Sequence, residues 1–244
     1  METLFHQNEF PVDDLGKLGL AKQGALLLED ADIMSMRLGR RSGLILIKNL
    51  DFGSFEIAAM EAKISLQREE SGKAALLVHP VYNLPRRLSF LTERYEQHLL
   101  KPSIANVTIE DPDREGKALV VEYDAQTKEF ISYSPENVQA PSIINADYLS
   151  PERKEDFRRG MAIELSDGTI VQHRATERLG IASNREKLYF FYDGRDGASH
   201  ILFEGIANMP GSGEEQKPFR TNGFTRAAQW LDFESGKFGE QLSR

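Results

Sequence analysis

The chain has 244 residues, of which 40% are hydrophobic and 28% charged, a composition that excludes a wholly disordered protein and leaves room for one or two domains. Its 38 acidic against 30 basic residues give a formal net charge of -8, so the average surface field repels a phosphate backbone. The lack of cysteine excludes disulfides, thiolate metal sites and a cysteine nucleophile.

Histidines stand at positions 6, 79, 98, 173 and 200 without the close spacing of a compact zinc site. Acidic residues open the sequence, with no basic region leading into a long apolar run, and no stretch approaches the roughly 20 apolar residues of a membrane helix. The expectation is a soluble cytoplasmic protein with no membrane contact, no metal and no cofactor.

Along the chain, a helix, a stop and a strand recur three times. Leu28 opens an acidic, partly apolar segment that reaches Gly39 before Arg40 and Arg41, and Leu44–Ile47 then reads as a short strand. Leu91 opens a second segment ending at Pro102, after which Ile104, Val107 and Ile109 suggest another strand. Leu149 opens a third ending at Gly160, followed by Ile163 and Leu165. One large apolar residue stands at the same place in each unit, Met36, Leu99 and Phe157, and is predicted to point into a core.

Local chemistry supports the helices. Thr92 and Ser150 are suited to accept first-turn amide hydrogens, and Pro151 suits the first helical position because its missing donor has no partner there. Gly39 and Gly160 are suited to end helices in a left-handed conformation, and Pro102 stops one for want of a donor. Glu29, Asp30 and Asp32 read as first-turn residues facing the positive helix end.

Hairpins supply the sheet. Ala62–Arg68 and Lys73–His79 flank Glu69–Gly72, Leu119–Tyr123 and Glu129–Tyr133 flank Asp124–Lys128, and Ile163–Leu165 and Thr169–Val171 surround Ser166–Asp167–Gly168. Leu188–Tyr192 reads as a buried strand or the start of an apolar helix, and His200–Met209 as a second apolar element. Pro210–Gly213 reads as a linker, with one short helix over Phe224–Leu231 beyond it. The expected fold is α+β, short helices packed on antiparallel β-hairpins, with a weak repeated helix–strand unit. The expected divisions are an N-terminal subregion over 1–110, a second over 111–209, and a linker with an appended tail over 210–244.

The block from Tyr148 to Gly160, then Glu164–Thr169, then Ala175–Arg185, resembles a family of uncharacterised domains from Bacteroidetes. Asp14–Leu20, Leu38–Arg41, Ala62–Leu66 and His79–Tyr82 agree with the same pattern, so that the resemblance spans about residues 14–209. Domains of that family occur on conjugative or other mobile elements, sometimes attached to type IA DNA topoisomerases. The resemblance implies mobile DNA and its accessory machinery as a setting, and supplies no catalytic residues.

Among side chains that could carry chemistry, His79 and Tyr82 beside Arg86 and Arg87 form a weak polar cluster suited to a phosphate. A histidine at a strand end before proline is ordinarily a hydrogen-bonded structural residue, and no nucleophile motif accompanies it. Asp111, Asp113 and Glu115 alternate around Pro112 without the calcium-loop pattern and read as a solvated turn. Basic residues group as Arg37, Arg40 and Arg41, as Arg86 and Arg87, and as Arg153, Lys154, Arg158 and Arg159. Converging helix ends would make them a strip for nucleic acid or phosphate, against an ordinary reading as solvated helix-end charge. Phe219, Phe224, Trp230 and Leu231 are candidate partner contacts in the tail. The leading expectation is a non-catalytic accessory protein that meets an unidentified protein partner. A nucleic-acid-binding module, disfavoured by the net charge, is the alternative, and a phosphate-handling enzyme a distant one.

Overall fold

A computed structural model describes residues 4–51, 56–194 and 197–204. It is an α+β protein, and its contacts group the chain into two compact units. The first takes the described residues of 2–137 together with 173–181, and the second takes those of 138–172 and from 182 onward.

After a 3₁₀ turn at Gln7–Glu9 the first unit forms helix α1 (Val12–Lys17), the short strands β1 (Ala21–Lys22) and β2 (Ala25–Leu26), and helix α2 (Asp30–Arg37). An antiparallel sheet follows from β3 (Ile45–Asp51), β4 (Glu56–Arg68) and β5 (Ala74–Pro80). Strand alternation puts Ala62, Ile64 and Leu66 of β4 on one face, and all three are buried. Ile64 and Leu66 pack with Phe5, Phe10, Leu15 and Met36, so Met36, with Ile33 beside it, docks α2 on the sheet. Helix α3 (Glu93–Leu99) and a second antiparallel sheet, β6 (Val107–Glu110), β7 (Ala118–Asp124) and β8 (Glu129–Tyr133), complete the unit. Leu99 packs there with Leu91, Val121 and Phe130.

From residue 138 onward the chain forms β9 (Ile143–Ile144), β10 (Asp147–Tyr148), helix α4 (Pro151–Arg158), β11 (Ile163–Glu164), β12 (Ile170–His173), β13 (Ile181–Ser183), β14 (Lys187–Gly194) and β15 (Gly197–Glu204), all in the second unit except His173 and Ile181, which end β12 and begin β13. One sheet has the order β10-β9-β14-β15 and the other β11-β12-β13. Phe157 is 1% exposed, with its ring 6.5 Å from that of Phe190 in β14. Leu188–Tyr192 is therefore strand rather than helix, and the part of His200–Met209 that is described is strand as well.

The three helix–strand units form where the sequence places them, and Met36, Leu99 and Phe157 are all buried. Ser150 Oγ accepts the Arg153 amide at 3.2 Å with Pro151 opening the helix. Gly39 and Gly160 both take positive φ just past their helices, at 69° and 67°. Thr92 departs from expectation. It stands at the start of α3 in an extended conformation, but its side chain accepts no amide hydrogen, and its carbonyl alone receives the Glu96 amide. The linker at Pro210–Gly213, the helix expected over Phe224–Leu231 and the tail residues Phe219, Phe224, Trp230 and Leu231 lie outside the described residues. Among those described, no helix is long and apolar enough to cross a membrane.

Candidate functional site

Two hairpins of the first unit carry the polar centre. On β4, Lys63 and Ser65 point to the face opposite Ala62, Ile64 and Leu66, and the register sets His79 of β5 beside Lys63. Alternation alone would give that face to water, yet Lys63 is 1% exposed. Its ammonium lies 2.8 Å from Asp124 Oδ2 and donates to the Thr176 carbonyl at 3.0 Å. Asp124 closes the β7–β8 turn as well, since its Oδ1 accepts the amides of Gln126 and Thr127 at 3.0 and 3.4 Å. Arg41 joins the same centre, 3.7 Å from Asp124 and 2.6 Å from Glu129 Oε2. Such a network holds only while every charge keeps its partner, because desolvation of an unpaired ion costs several kcal/mol, on the order of 3–5 when one member of a pair is removed.

His79 shares a 2.8 Å hydrogen bond through Nε2 with Ser65 Oγ, and its Nδ1 is 3.7 Å from Glu129 Oε2. Burial first, then the neighbouring Arg41 charge, lowers its pKa to about 4. The imidazole is therefore neutral near pH 7 and a weak base.

The cleft beside this centre has a volume of about 570 Å³ and is lined by Arg41, His79, Arg86–Phe90 and Glu129–Ser132. Arg86 donates to the Tyr82 hydroxyl at 2.6 Å, has its guanidinium carbon 5.4 Å from the centre of that ring, and stands 3.7 Å from Glu129 Oε1. Arg87 Nε lies 3.1 Å from Glu96 of α3. Both arginines keep about two thirds of their side-chain surface exposed, 63% and 66%. The structure thus brings together one of the three residues of the first basic group, both of the second, and the His79–Tyr82 pair. Glu129, which holds Arg41 and faces Arg86 and His79, carried no signal of its own in the sequence, where it reads only as the first residue of a strand.

The other predicted cations go elsewhere. Arg40 donates through Nη1 to the Leu179 carbonyl, while Arg37 contributes a carbonyl that accepts the Phe5 amide. In the second unit Arg153 donates to the Glu164 carbonyl, Lys154 to Ser142 Oγ at 3.1 Å, and Arg158 and Arg159 pair with Glu155 at 3.6 and 2.9 Å.

Residues 173–181 are gripped by the first unit from several sides. Glu29 and Asp32 of the α2 start lie 2.8 and 3.5 Å from Arg178 Nη1, so these acids hold a distant arginine as well as facing their own helix end. Ser35 Oγ donates to the Arg178 carbonyl. Glu122 of β7 is fully buried. Its Oε2 accepts Arg174 Nε at 3.3 Å and the Thr176 amide and hydroxyl at 3.1 and 3.0 Å. Burial raises the Glu122 pKa against the opposing pull of Arg174 and Thr176. The Tyr133 pKa is raised by burial first and then by the Glu122 carboxylate. His173, buried and beside Arg40, is lowered to about 3.

Comparison with known proteins adds one match. No curated protein and no solved structure matches the chain. Residues 5–87 match a family described as a protein of unknown function (DUF4099), and that stretch carries Arg37, Arg40, Arg41, His79, Tyr82, Arg86 and Arg87.

Proposed function

We propose that this is a non-catalytic binding protein that meets a protein partner, with the arginine-lined cleft of the first unit as its contact surface. The observation that carries this reading is how the cations are used. Arg41, Arg86 and Arg87 meet Glu129, Tyr82 and Glu96, while the third basic group meets Glu155, Glu164 and Ser142. Cations already engaged in this way lose internal contacts when they turn to a phosphate backbone, and the net charge of -8 opposes that backbone at longer range. An exposed arginine beside an apolar wall is instead a common anchor for a protein surface. With His79 a weak base already bonded to Ser65, the cluster is better suited to recognition than to proton transfer. The setting we propose is the cytoplasmic machinery of a mobile element, which the resemblance of residues 14–209 implies. The tail residues Phe219, Phe224, Trp230 and Leu231 are proposed as further partner contacts.

The test compares the full chain with an Arg86→Glu/Arg87→Glu variant as nuclease-treated baits in the native host, alongside a DNA titration near physiological salt. The expected result is a partner retained by the wild type and lost by the variant. No DNA binding tighter than about 10 μM is expected, within the range of about 1–100 μM typical of non-specific complexes. Submicromolar DNA binding that the charge reversal removes would overturn the reading in favour of a nucleic-acid module.

A further inference from the structure

The free edge of β8 borders the cleft. In the β6-β7-β8 sheet, β8 is an outer strand, and the segment around Arg86 covers only its beginning through a single parallel bridge to Glu129. The Arg86 amide donates to the Lys128 carbonyl at 2.8 Å, and the Phe130 amide donates to the Arg86 carbonyl at 3.3 Å. The amide of Phe130 therefore points away from β7, and by strand alternation so does that of Ser132. A continued parallel ladder would join Leu88 to Phe130 and Ser132. Among the described residues neither bond forms, because the chain from Arg87 turns toward α3, where Arg87 binds Glu96. The Phe130 carbonyl and the amide of the exposed Ser132 are left facing the cleft where the two segments diverge.

We infer that this edge receives an extended acidic peptide segment of a partner protein, which pairs with the backbone of Phe130–Ser132 and sets a carboxylate against Arg86 and Arg87. The inference rests on the protein-binding reading above and names the occupant. Two features select it. An unpaired strand edge offers alternating donors and acceptors that an extended polypeptide matches and a nucleotide backbone does not. The charged lining is three arginines against one glutamate, with His79 neutral, so the cleft is locally positive on a chain whose net charge is -8. A carboxylate gains charge-assisted hydrogen bonds from the exposed guanidinium groups, and the backbone pairing, which a phosphate chain lacks, offsets the internal contacts of Arg86 and Arg87 that it loosens. Leu88, Phe90 and Ile131 give the alternate side chains of such a strand an apolar wall.

The test uses the full chain and a blocked, fluorescein-labelled heptapeptide, Thr-Val-Glu-Val-Glu-Val-Thr. Its companions are the version with both Glu replaced by Gln, the version methylated on alternate backbone amides, and a seven-nucleotide oligothymidylate. The acidic peptide is expected to bind at least about tenfold more tightly than each of the other three, a factor worth about 1.4 kcal/mol. Its binding should slow hydrogen exchange of the Ser132 amide, and Arg86→Glu/Arg87→Glu should abolish the preference for Glu over Gln. Ser132→Pro, which deletes the donor, should match the loss caused by methylating the peptide, and the methylated peptide keeps the test valid if that variant does not fold. Failure of the acidic peptide to bind at 1 mM, equal binding of the methylated or Gln peptide, or unchanged exchange at Ser132 would overturn the inference. In that event a charge-dependent partner in the host would leave protein binding standing without strand pairing, whereas tighter binding of the oligonucleotide would overturn both.

Discussion

Replacing Lys63 by Met tests whether the buried centre is held by paired charge. Methionine keeps most of the volume and removes the ammonium, which leaves Asp124 without its 2.8 Å partner and the Thr176 carbonyl without its donor. Breaking a buried ion pair from one side costs about 3–5 kcal/mol. Here the cost should fall below that range, at about 2–3 kcal/mol, because Asp124 keeps Arg41 at 3.7 Å and the two turn amides. Adding Asp124→Asn neutralises the stranded acid and still offers an oxygen to Gln126 and Thr127. The double variant should therefore cost less than the sum of the single ones by at least about 1 kcal/mol. Urea denaturation at pH 7, followed by far-UV circular dichroism, measures all four corners of the cycle. A cost below about 1 kcal/mol for Lys63→Met, or an additive cycle, would refute the paired-charge account.

The remaining predictions concern other parts of the molecule. Phe157→Ala in the second unit should cost about 3–5 kcal/mol in chemical denaturation, since the ring is 1% exposed and packs near Phe190, and a cost below about 1 kcal/mol would remove α4 from the core. Gly180 has φ of 68°, and an added Cβ would run into the Arg40 guanidinium, so Gly180→Ala should lower stability by about 1–3 kcal/mol, with Arg40→Ala relieving the steric share but not the backbone share. If thermal unfolding shows Gly180→Ala to be neutral, the close approach of Arg40 is wrong. His79 and His173 have folded pKa values near 4 and 3, below the ordinary 6.5, so the unfolded chain binds more protons as the pH falls below about 6.5. Their contribution is complete above that value and declines toward pH 4, at up to about 1.4 kcal/mol per pH unit for each histidine. Glu122, raised by burial, acts in the opposite sense over its own range. His173→Gln should flatten the acid limb of stability against pH, and an unchanged slope would show that the imidazole is not held neutral.

What the sequence shows depends on how far apart the interacting residues lie. The β4–β5 and β11–β12 turns are legible because Glu69–Gly72 and Ser166–Gly168 interrupt alternating runs with residues that tolerate turn geometry, and Gly72 and Gly168 take φ of 81° and 76°. Helix α4 is legible from Ser150, Pro151 and Gly160, which act within a few positions of themselves. The cluster of His79, Tyr82, Arg86 and Arg87 is legible for the same reason, as one short stretch of chain. Arg41 and Glu129 are a different matter. They meet only because β3–β5 and β7–β8 bring distant segments together, and a glutamate opening a strand is indistinguishable from a solvated one. Lys63 misleads more actively, since alternation assigns it to the face opposite the core and only the arrival of Asp124 and Thr176 covers that face. The grip of Glu29, Asp32 and Ser35 on Arg178 is hidden likewise, because first-turn acids already have a local explanation.

These long-range pairs decide how the matched stretch 5–87 should be understood. It contains Arg41, Lys63 and His79, but the acids and carbonyl that hold them, Asp124, Glu129 and Thr176, come from later in the chain. Cut off at residue 87, the β3–β5 sheet would lose the β7–β8 hairpin and the 173–181 segment, and its polar face would return to water. The exposed ammonium and guanidinium would then be solvated at little cost, but the burial that fixes the face would be gone with them. The cleft would disappear too, since Glu129–Ser132 forms one of its walls. A small domain has about 5–15 kcal/mol of net stability, so the loss of one packed face is large against that margin. In this chain the matched stretch is therefore one wall of the cleft, and the rest of the first unit is needed both to hold its charges and to supply the strand edge.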